Sequence, residues 1–281
     1  MANSNNNSVE AVAQVRGTES PTSRALSDGN ADAGSAPSSN TALSTSTELP
    51  SGTQILRAGV DSLYLSFPGE LAESSAIRLD ELKRLAQSDD KGNVALAQWE
   101  INEFLFSVRD RGRHPYQYIL ENPWFRLEVA GLASKRVPLV YSQLRSEALT
   151  FEGPMGVAEP LSTIVDTLGI VTGPVGVSRV DLCVDFTTDA NLDAIGEQDW
   201  VTRARTFDRY TVKRQFSGWR IGVGGSLSAR LYNKTLEIET SGKEFFYDVW
   251  SDMGWDGTSP VWRPELQFRR EALQQIEPRS L

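Results

Sequence analysis

Three segments of the chain alternate apolar and ionisable residues, a two-residue repeat that is typical of a β-strand with one apolar face. They are SRVDLCVDF (178–186), LSARLYNK (227–234) and VWRPELQFR (261–269). Gly224 and Gly225 predict a hairpin turn just before the second segment, and strands joined by a hairpin run antiparallel. We therefore expect an α+β protein with two sheet-containing halves, mostly antiparallel strands and flanking helices, rather than a doubly wound parallel sheet.

Composition divides the chain into a tail and two halves. Residues 1–52 are rich in Ser, Asn, Thr and Ala, and all 25 aromatic residues come later. A segment of this kind cannot bury enough apolar surface to offset its ordering entropy, so it is predicted to be a disordered tail. The turn TGPVG then separates an N-terminal α+β half, 53–171, from a C-terminal α+β half, 172–281, which carries the candidate site.

Hydrophobic periodicity predicts the main helices. The first covers 74–90, begins at Ser74 or Ser75 and places Ile77, Leu82 and Leu85 on one face. Further helices are expected at 157–170 and 192–205, with short helices near 243–253. The remaining strands of the first half are expected at 59–67, 104–110, 116–122, 124–131 and 138–146.

A single cysteine, Cys183, and a single histidine, His114, exclude several kinds of site. An internal disulfide, a cysteine-rich zinc module and a centre with two imidazoles are all impossible. Any metal would be held mainly by carboxylates, which favours Mg²⁺ or Mn²⁺. The chain shows no secretory signal pattern and no run of about 20 apolar residues, so we expect a soluble cytoplasmic protein with no membrane contact.

The net charge of −9 hides a strongly basic stretch. Between residues 203 and 234 the chain has eight basic residues and one acidic residue, a local charge of +7. A field of that size attracts phosphates even when the whole chain is acidic, although a solvated charged face is the plainer interpretation. The residues expected to contact DNA are Arg203, Arg209, Lys213, Arg214, Arg220, Arg263, Arg269 and Arg270.

If the three alternating strands are neighbours, their ionisable residues share one surface. Tyr232 would then attack a phosphodiester, forming a phosphotyrosyl bond that conserves the energy of the broken one. A free phenol titrates near pH ~10, so we expect the flanking cations Arg230 and Lys234 to favour the phenolate and hold its target. In the plainer interpretation Tyr232 packs within the sheet and the charges form cross-strand pairs.

The same surface offers carboxylates for a metal ion. Asp181 and Glu265 are the favoured ligands, with Asp185 as the alternative, because Asp181 and Asp185 are about 13 Å apart along a strand at roughly 3.3 Å per residue. Tyr210 and Tyr247 are alternative nucleophiles, but neither lies between two cations where a strand meets a helix.

VSRVDLCVDF, ARLYNKTLEI and VWRPELQFRRE, in this order, resemble the motifs of the replication initiation factor family, the rolling-circle initiators of plasmids and some phages. PLVYSQLRSEAL and GPVGVSRVD are also similar to the middle of those proteins, and the resemblance covers roughly residues 55 to 275. The His-hydrophobe-His metal pair of other rolling-circle enzymes is absent, so the resemblance is to a carboxylate variant.

The resemblance implies a metal-dependent DNA nickase and strand transferase that acts at a replication origin. Tyr232 would become linked to the 5′ phosphate of the nick, and Asp181 and Glu265 would hold Mg²⁺ or Mn²⁺. The implied partners are double-stranded and single-stranded origin DNA and a host helicase, and a homodimer would supply two tyrosines for two nicks. Two alternatives stay open: a mobilisation relaxase that nicks a transfer origin, and a non-catalytic protein that binds an origin or operator.

Overall fold

A single large β-sheet forms the centre of the structure. The computed structural model describes residues 52–134 and 136–276, so the predicted tail, except Gly52, lies outside the described residues. Within those ranges the strands are β1 (Gln54–Phe67), β2 (Gly69–Leu71), β3 (Gln98–Ile101), β4 (Phe104–Val108), β5 (Tyr118–Glu121), β6 (Phe125–Val129), β7 (Val140–Leu144), β8 (Gly169–Val171), β9 (Gly176–Thr187), β10 (Phe207–Val212), β11 (Gln215–Ile221), β12 (Leu227–Asn233) and β13 (Trp262–Arg269). The helices are α1 (Glu73–Ala86), α2 (Lys91–Ala95), α3 (Ser146–Phe151), α4 (Gly153–Leu168), α5 (Lys234–Ser241), α6 (Phe245–Asp252) and α7 (Arg270–Leu273).

Among the described residues, eleven strands form one sheet in the order β10-β11-β12-β13-β9-β1-β7-β6-β5-β4-β3. All its neighbouring strands pair antiparallel. The two longest strands, β1 and β9, lie side by side at the centre, where Gln54 pairs with Thr187 and Ser66 pairs with Gly176. β2 and β8 form a separate two-stranded sheet. The expected α+β class with mainly antiparallel strands is confirmed.

Helices α1 and α4 cover one face of the N-terminal part of the sheet. Their buried apolar residues form a core with Leu63, Leu65 and Phe67 of β1. The predicted cap of α1 is wrong, because the helix starts after Ala72 and no side chain caps it. Its predicted apolar face is also wrong in part, since Ile77 is 56% exposed and Leu79 is buried instead.

A second, smaller core lies under α5 and α6 in the C-terminal part. It contains Leu56, Ile238, Phe246, Trp250 and Val261. No helix shown in the described chain would be long and apolar enough to pass through a lipid bilayer.

The helix expected at 192–205 is wrong. The segment forms two short 3₁₀ turns, Leu192–Ala194 and Glu197–Asp199, that flank Gly196. A glycine inside a helix costs about 1 kcal/mol relative to alanine, and Trp200 packs edge-on against Phe207 of β10 instead of continuing a helix. The segment therefore follows tertiary contacts rather than its own periodicity.

Two local predictions are confirmed around β12. The hairpin between β11 and β12 turns through Gly224 and Gly225. The strand then gives way to a helix directly after Asn233, whose side chain accepts the backbone N–H of Leu236 and caps α5.

Candidate functional site

Strand order brings the three alternating segments together. β13 lies between β12 and β9, with Arg230 opposite Glu265 and Gln267 opposite Asp181. We call the side of the sheet that carries Arg179, Asp181, Arg230, Tyr232 and Glu265 the polar face. Residues far apart in the sequence therefore share one surface, as the alternation requires.

The polar face is more buried than the sequence suggests. Asp181, Asp185 and Glu265 are all 1% exposed or less, whereas Leu182 and Leu266 on the opposite face are about 40% exposed. Helix α6 packs against one end of the polar face, where Trp250 donates to Asp185, while Asp181 and Glu265 pair with Arg179 and Arg230. The assumption that the ionisable side chains all lie on open surface is therefore wrong.

Tyr232, Glu265 and Arg230 form one connected group. The Tyr232 hydroxyl donates to Oε2 of Glu265 over 3.0 Å, and Arg230 forms an ion pair with Oε1 of the same carboxylate. The Arg230 guanidinium carbon lies 5.1 Å from the Tyr232 ring centroid, and Lys234 Nζ lies 5.9 Å from it. The structure thus brings the predicted nucleophile together with one predicted acid and both predicted cations.

The expected activation of the phenol by its neighbouring cations is not what the geometry produces. Burial raises the pKa of Tyr232 well above its usual value; Arg263 and Arg230 oppose this rise, while Glu265 adds to it. The phenol is therefore protonated at neutral pH and hydrogen-bonded to a carboxylate that can accept its proton.

Lys234 lies near the Tyr232 ring but forms its ion pair outside this group. Its side chain is 1% exposed, and its ammonium forms an ion pair with Glu237 on the first turn of α5. Burial, with a smaller contribution from Arg263, lowers the pKa of Lys234. Lys234 Nζ also lies 4.9 Å from the Phe246 ring centroid. Its side chain therefore packs beneath Tyr232.

The predicted metal ligands are already occupied. Arg179 Nε donates to Oδ1 of Asp181 over 2.8 Å, and a second guanidinium nitrogen binds Oδ2. Glu265 is shared by Arg230 and Tyr232. Within the described residues, no group of three or more His, Cys, Asp or Glu side chains is arranged to hold a metal ion. The donor set does not fit Mg²⁺ or Mn²⁺ in this arrangement.

Asp185 belongs to a buried ion network rather than to a metal site. Arg263 Nη2 donates to Oδ2 of Asp185 over 2.7 Å, and the indole N–H of Trp250 donates to the same oxygen over 2.9 Å. Arg263 Nη1 donates to Asp61 over 2.6 Å. Arg263 is 0% exposed, so its expected role as a DNA contact is wrong.

Asp61 and Arg57 are the network members that sequence reasoning missed. Burial alone would raise the pKa of Asp61, but the surrounding cations, Arg263 first, lower it to about 2. Arg57 donates to Cys183 and Thr150 and lies over the Phe246 ring. The available signal was a charged residue at each of these positions in an otherwise apolar strand.

Beside Glu265 the polar face opens into a basic groove. The groove is lined by Arg179, Arg220, Ser228, Arg230, Gln267 and Arg269, together with Val223, Gly224 and Ala229. Two of these arginines, Arg220 and Arg269, were expected to contact DNA, whereas Arg179 was not among the expected contacts. Arg220 also donates to the hydroxyl of Tyr210 at the groove edge.

The other expected DNA contacts are scattered. Arg209 lies on the opposite face, where it covers Phe216 and Trp219 and pairs with Asp193. Lys213 pairs with Glu239 at the tip of the β10–β11 hairpin. The exposed residues Arg203, Arg214 and Arg270 do not line the groove.

Searches of the chain against protein-family models and against curated protein sequences find no match.

Proposed function

We propose that the protein is a DNA nickase and strand transferase that initiates rolling-circle replication in the cytoplasm. The observation that carries the proposal is the hydrogen bond from the Tyr232 hydroxyl to Glu265 beside a groove lined by four arginines. A hydroxyl nucleophile, a carboxylate base and a cluster of phosphate-binding cations are the parts that phosphodiester cleavage needs. The motif resemblance to replication initiators supports the same function.

The cleavage step follows from these positions. The Tyr232 oxygen attacks the phosphorus of a phosphodiester held in the groove, while its proton passes to Glu265. The bond to the 3′ oxygen breaks, and this oxygen leaves as a hydroxyl after taking up a proton from solvent. The 5′ phosphate stays on Tyr232, and attack by a 3′ hydroxyl reverses the step and rejoins a strand.

The groove arginines stabilise the negative charge that develops on the phosphate oxygens. Arg230 is the closest of them to the reacting atoms, because it contacts both the Glu265 carboxylate and the Tyr232 ring. Guanidinium groups bind phosphate through two parallel N–H donors, so several arginines on one wall also fix its orientation.

The divalent metal that the resemblance implies would have to displace an arginine. Asp181 would need to release Arg179, and Glu265 would need to release Arg230. We therefore assign no step to a metal, and the metal requirement becomes one arm of the test.

Nicking of supercoiled DNA tests the proposal. A plasmid that carries the gene for this protein and its flanking sequence is incubated with the protein, once with Mn²⁺ and once with a chelator. We expect a relaxed product in which protein is covalently attached to a 5′ end. Tyr232→Phe should abolish both the relaxed product and the covalent link, and Glu265→Gln should slow nicking about 100-fold or more, as expected for loss of a general base.

Tyr210→Phe is the matched control, because Tyr210 also contacts a groove arginine but lies outside the Tyr232–Glu265 pair. Nicking at the wild-type rate by Tyr232→Phe would refute the mechanism. A transfer-origin substrate nicked in place of a replication origin would instead identify a mobilisation relaxase with the same chemistry.

A non-catalytic DNA-binding protein is the second candidate. The observation in its favour is the raised pKa of Tyr232, which keeps the phenol as a hydrogen-bonded side chain of the sheet. In that case the protein binds origin or operator DNA, and neither wild type nor any variant forms a covalent product. Recruitment of a host helicase and formation of a homodimer belong to the initiator proposal alone.

A further inference from the structure

Three tyrosines lie in a row on the N-terminal part of the polar face. The Tyr64 and Tyr141 ring centroids are 5.8 Å apart, and those of Tyr141 and Tyr116 are 6.2 Å apart, with ring planes inclined by 23° in the second pair. All three rings are half-buried. Helices α1 and α4 pack on the opposite face, against Leu63 and Leu65, so the rings keep an accessible side.

The tyrosine row continues directly from the basic groove. Across the sheet, Arg269 of β13 is opposite Arg179 of β9, and Arg179 is opposite Tyr64 of β1. The Arg179 guanidinium carbon lies 4.9 Å from the Tyr64 ring centroid. Groove and aromatic row are therefore one uninterrupted surface, joined at Arg179.

The charged residues around the row also suit a nucleic acid. Two glutamates on this face, Glu121 and Glu128, are less exposed to solvent than the arginines with which they form ion pairs. The Arg113 side chain is 71% exposed, for example, while its partner Glu128 is 6% exposed. The arginines of these pairs are Arg109, Arg113, Arg126 and Arg145. The outer layer is thus aromatic and cationic.

We propose that this surface is a binding track for single-stranded DNA, in which bases stack on Tyr64, Tyr141 and Tyr116 while phosphates follow the arginines. The inference rests on the proposed function, because it supplies the strand that Tyr232 cuts. Stacking on aromatic rings accepts every base, and single strands are bound this way over sites of about 4 to 16 nucleotides.

The register fixes the length of the track. From Tyr232, opposite Arg263, the path runs six residues along β13 to Arg269, which is about 20 Å at roughly 3.3 Å per residue. It then crosses from β13 to β1, about 10 Å at roughly 4.8 Å per strand. Tyr64 is thus several nucleotides from the cleavage position, so the tyrosines bind DNA flanking the scissile phosphate and not the phosphate itself.

The test compares a fluorescent 12-nucleotide oligothymidylate with an abasic oligonucleotide of the same length, using anisotropy at fixed salt. We expect wild type to bind the oligothymidylate more tightly, because the abasic chain keeps the phosphates but offers nothing to stack. Tyr64→Leu and Tyr141→Leu should weaken oligothymidylate binding by roughly 5- to 150-fold for each stacked base lost, and leave abasic binding unchanged.

Two controls separate stacking from folding. Tyr64→Phe and Tyr141→Phe keep the ring and should restore wild-type binding. Tyr247→Leu removes a ring of the same kind that stacks on Trp255, away from the track, and should not change binding. Each variant is checked by circular dichroism before use.

The outcomes distinguish this inference from the proposed function. Equal binding of the two oligonucleotides by wild type, or no effect of the leucine substitutions, would overturn the track even if Tyr232 nicks DNA. Base-dependent binding lost in the leucine variants would support the track even if wild type forms no covalent product with DNA or Tyr232→Phe nicks at the wild-type rate.

Discussion

Replacing Asp185 by asparagine should destabilise the fold severely, because it leaves a buried guanidinium without one of its two counter-charges. Asp185 and Arg263 are both 0% exposed, and the carboxylate accepts two hydrogen bonds from Arg263 and one from Trp250. Asparagine keeps the shape of the side chain, but it replaces one acceptor oxygen by an NH₂ group, which cannot accept a hydrogen bond from Arg263 or Trp250. Breaking one partner of a buried ion pair costs about 3–5 kcal/mol.

That loss is a large fraction of a typical free energy of unfolding of 5–15 kcal/mol. Equilibrium unfolding in urea, followed by tryptophan fluorescence, measures it directly. The control is Asp193→Asn, which removes an ion pair to Arg209 in which both side chains are about half exposed. Exposed pairs contribute about 0–1 kcal/mol, so this variant should unfold close to wild type. If Asp185→Asn lost no more free energy of unfolding than Asp193→Asn, the buried ion pair between Asp185 and Arg263 would not stabilise the fold as stated.

Three further predictions concern single residues. The pKa of Asp61 is depressed to about 2, so its stabilising contribution is present above its unfolded pKa near 3.8 and is lost as the pH falls toward 2. In Asp61→Asn the free energy of unfolding should therefore fall less steeply with decreasing pH over this range than in wild type. The pKa of Tyr232 is raised, so subtracting the phenolate absorbance of Tyr232→Phe from that of wild type should leave no titration near pH ~10. Gly218→Ala should destabilise the sheet by about 1–3 kcal/mol in thermal unfolding, because φ is +148° and a Cβ would lie 2.2 Å from the Leu231 carbonyl oxygen.

Alternation along the strands predicted which residues share a face, and the structure confirms that sharing for Asp181, Arg230, Tyr232 and Glu265. Alternation cannot predict which face is covered, because that depends on where α6 packs after the chain has left β12. This is why Asp185 and Arg263 were expected near the surface and are instead completely buried.

Local sequence patterns also could not predict the order of the strands in the sheet. β1 is the first of the described strands, yet it brings Asp61 next to Arg263, some 200 residues later. No periodicity within a single segment reports such a contact. The same limitation explains the missed alignment of Tyr64 with Arg179, which only the pairing of β1 with β9 creates.

The pairing of β1 with β9 also determines how the molecule can be taken apart. A cut in the turn at 172–175 would leave β1 and β9 in different fragments, and each would become an edge strand with one row of backbone N–H and C=O groups open to other chains. Such fragments would self-associate or recombine rather than persist alone. The boundary between β1 and β9 is therefore a natural position for a split reporter, in which recombination of the two fragments produces the signal.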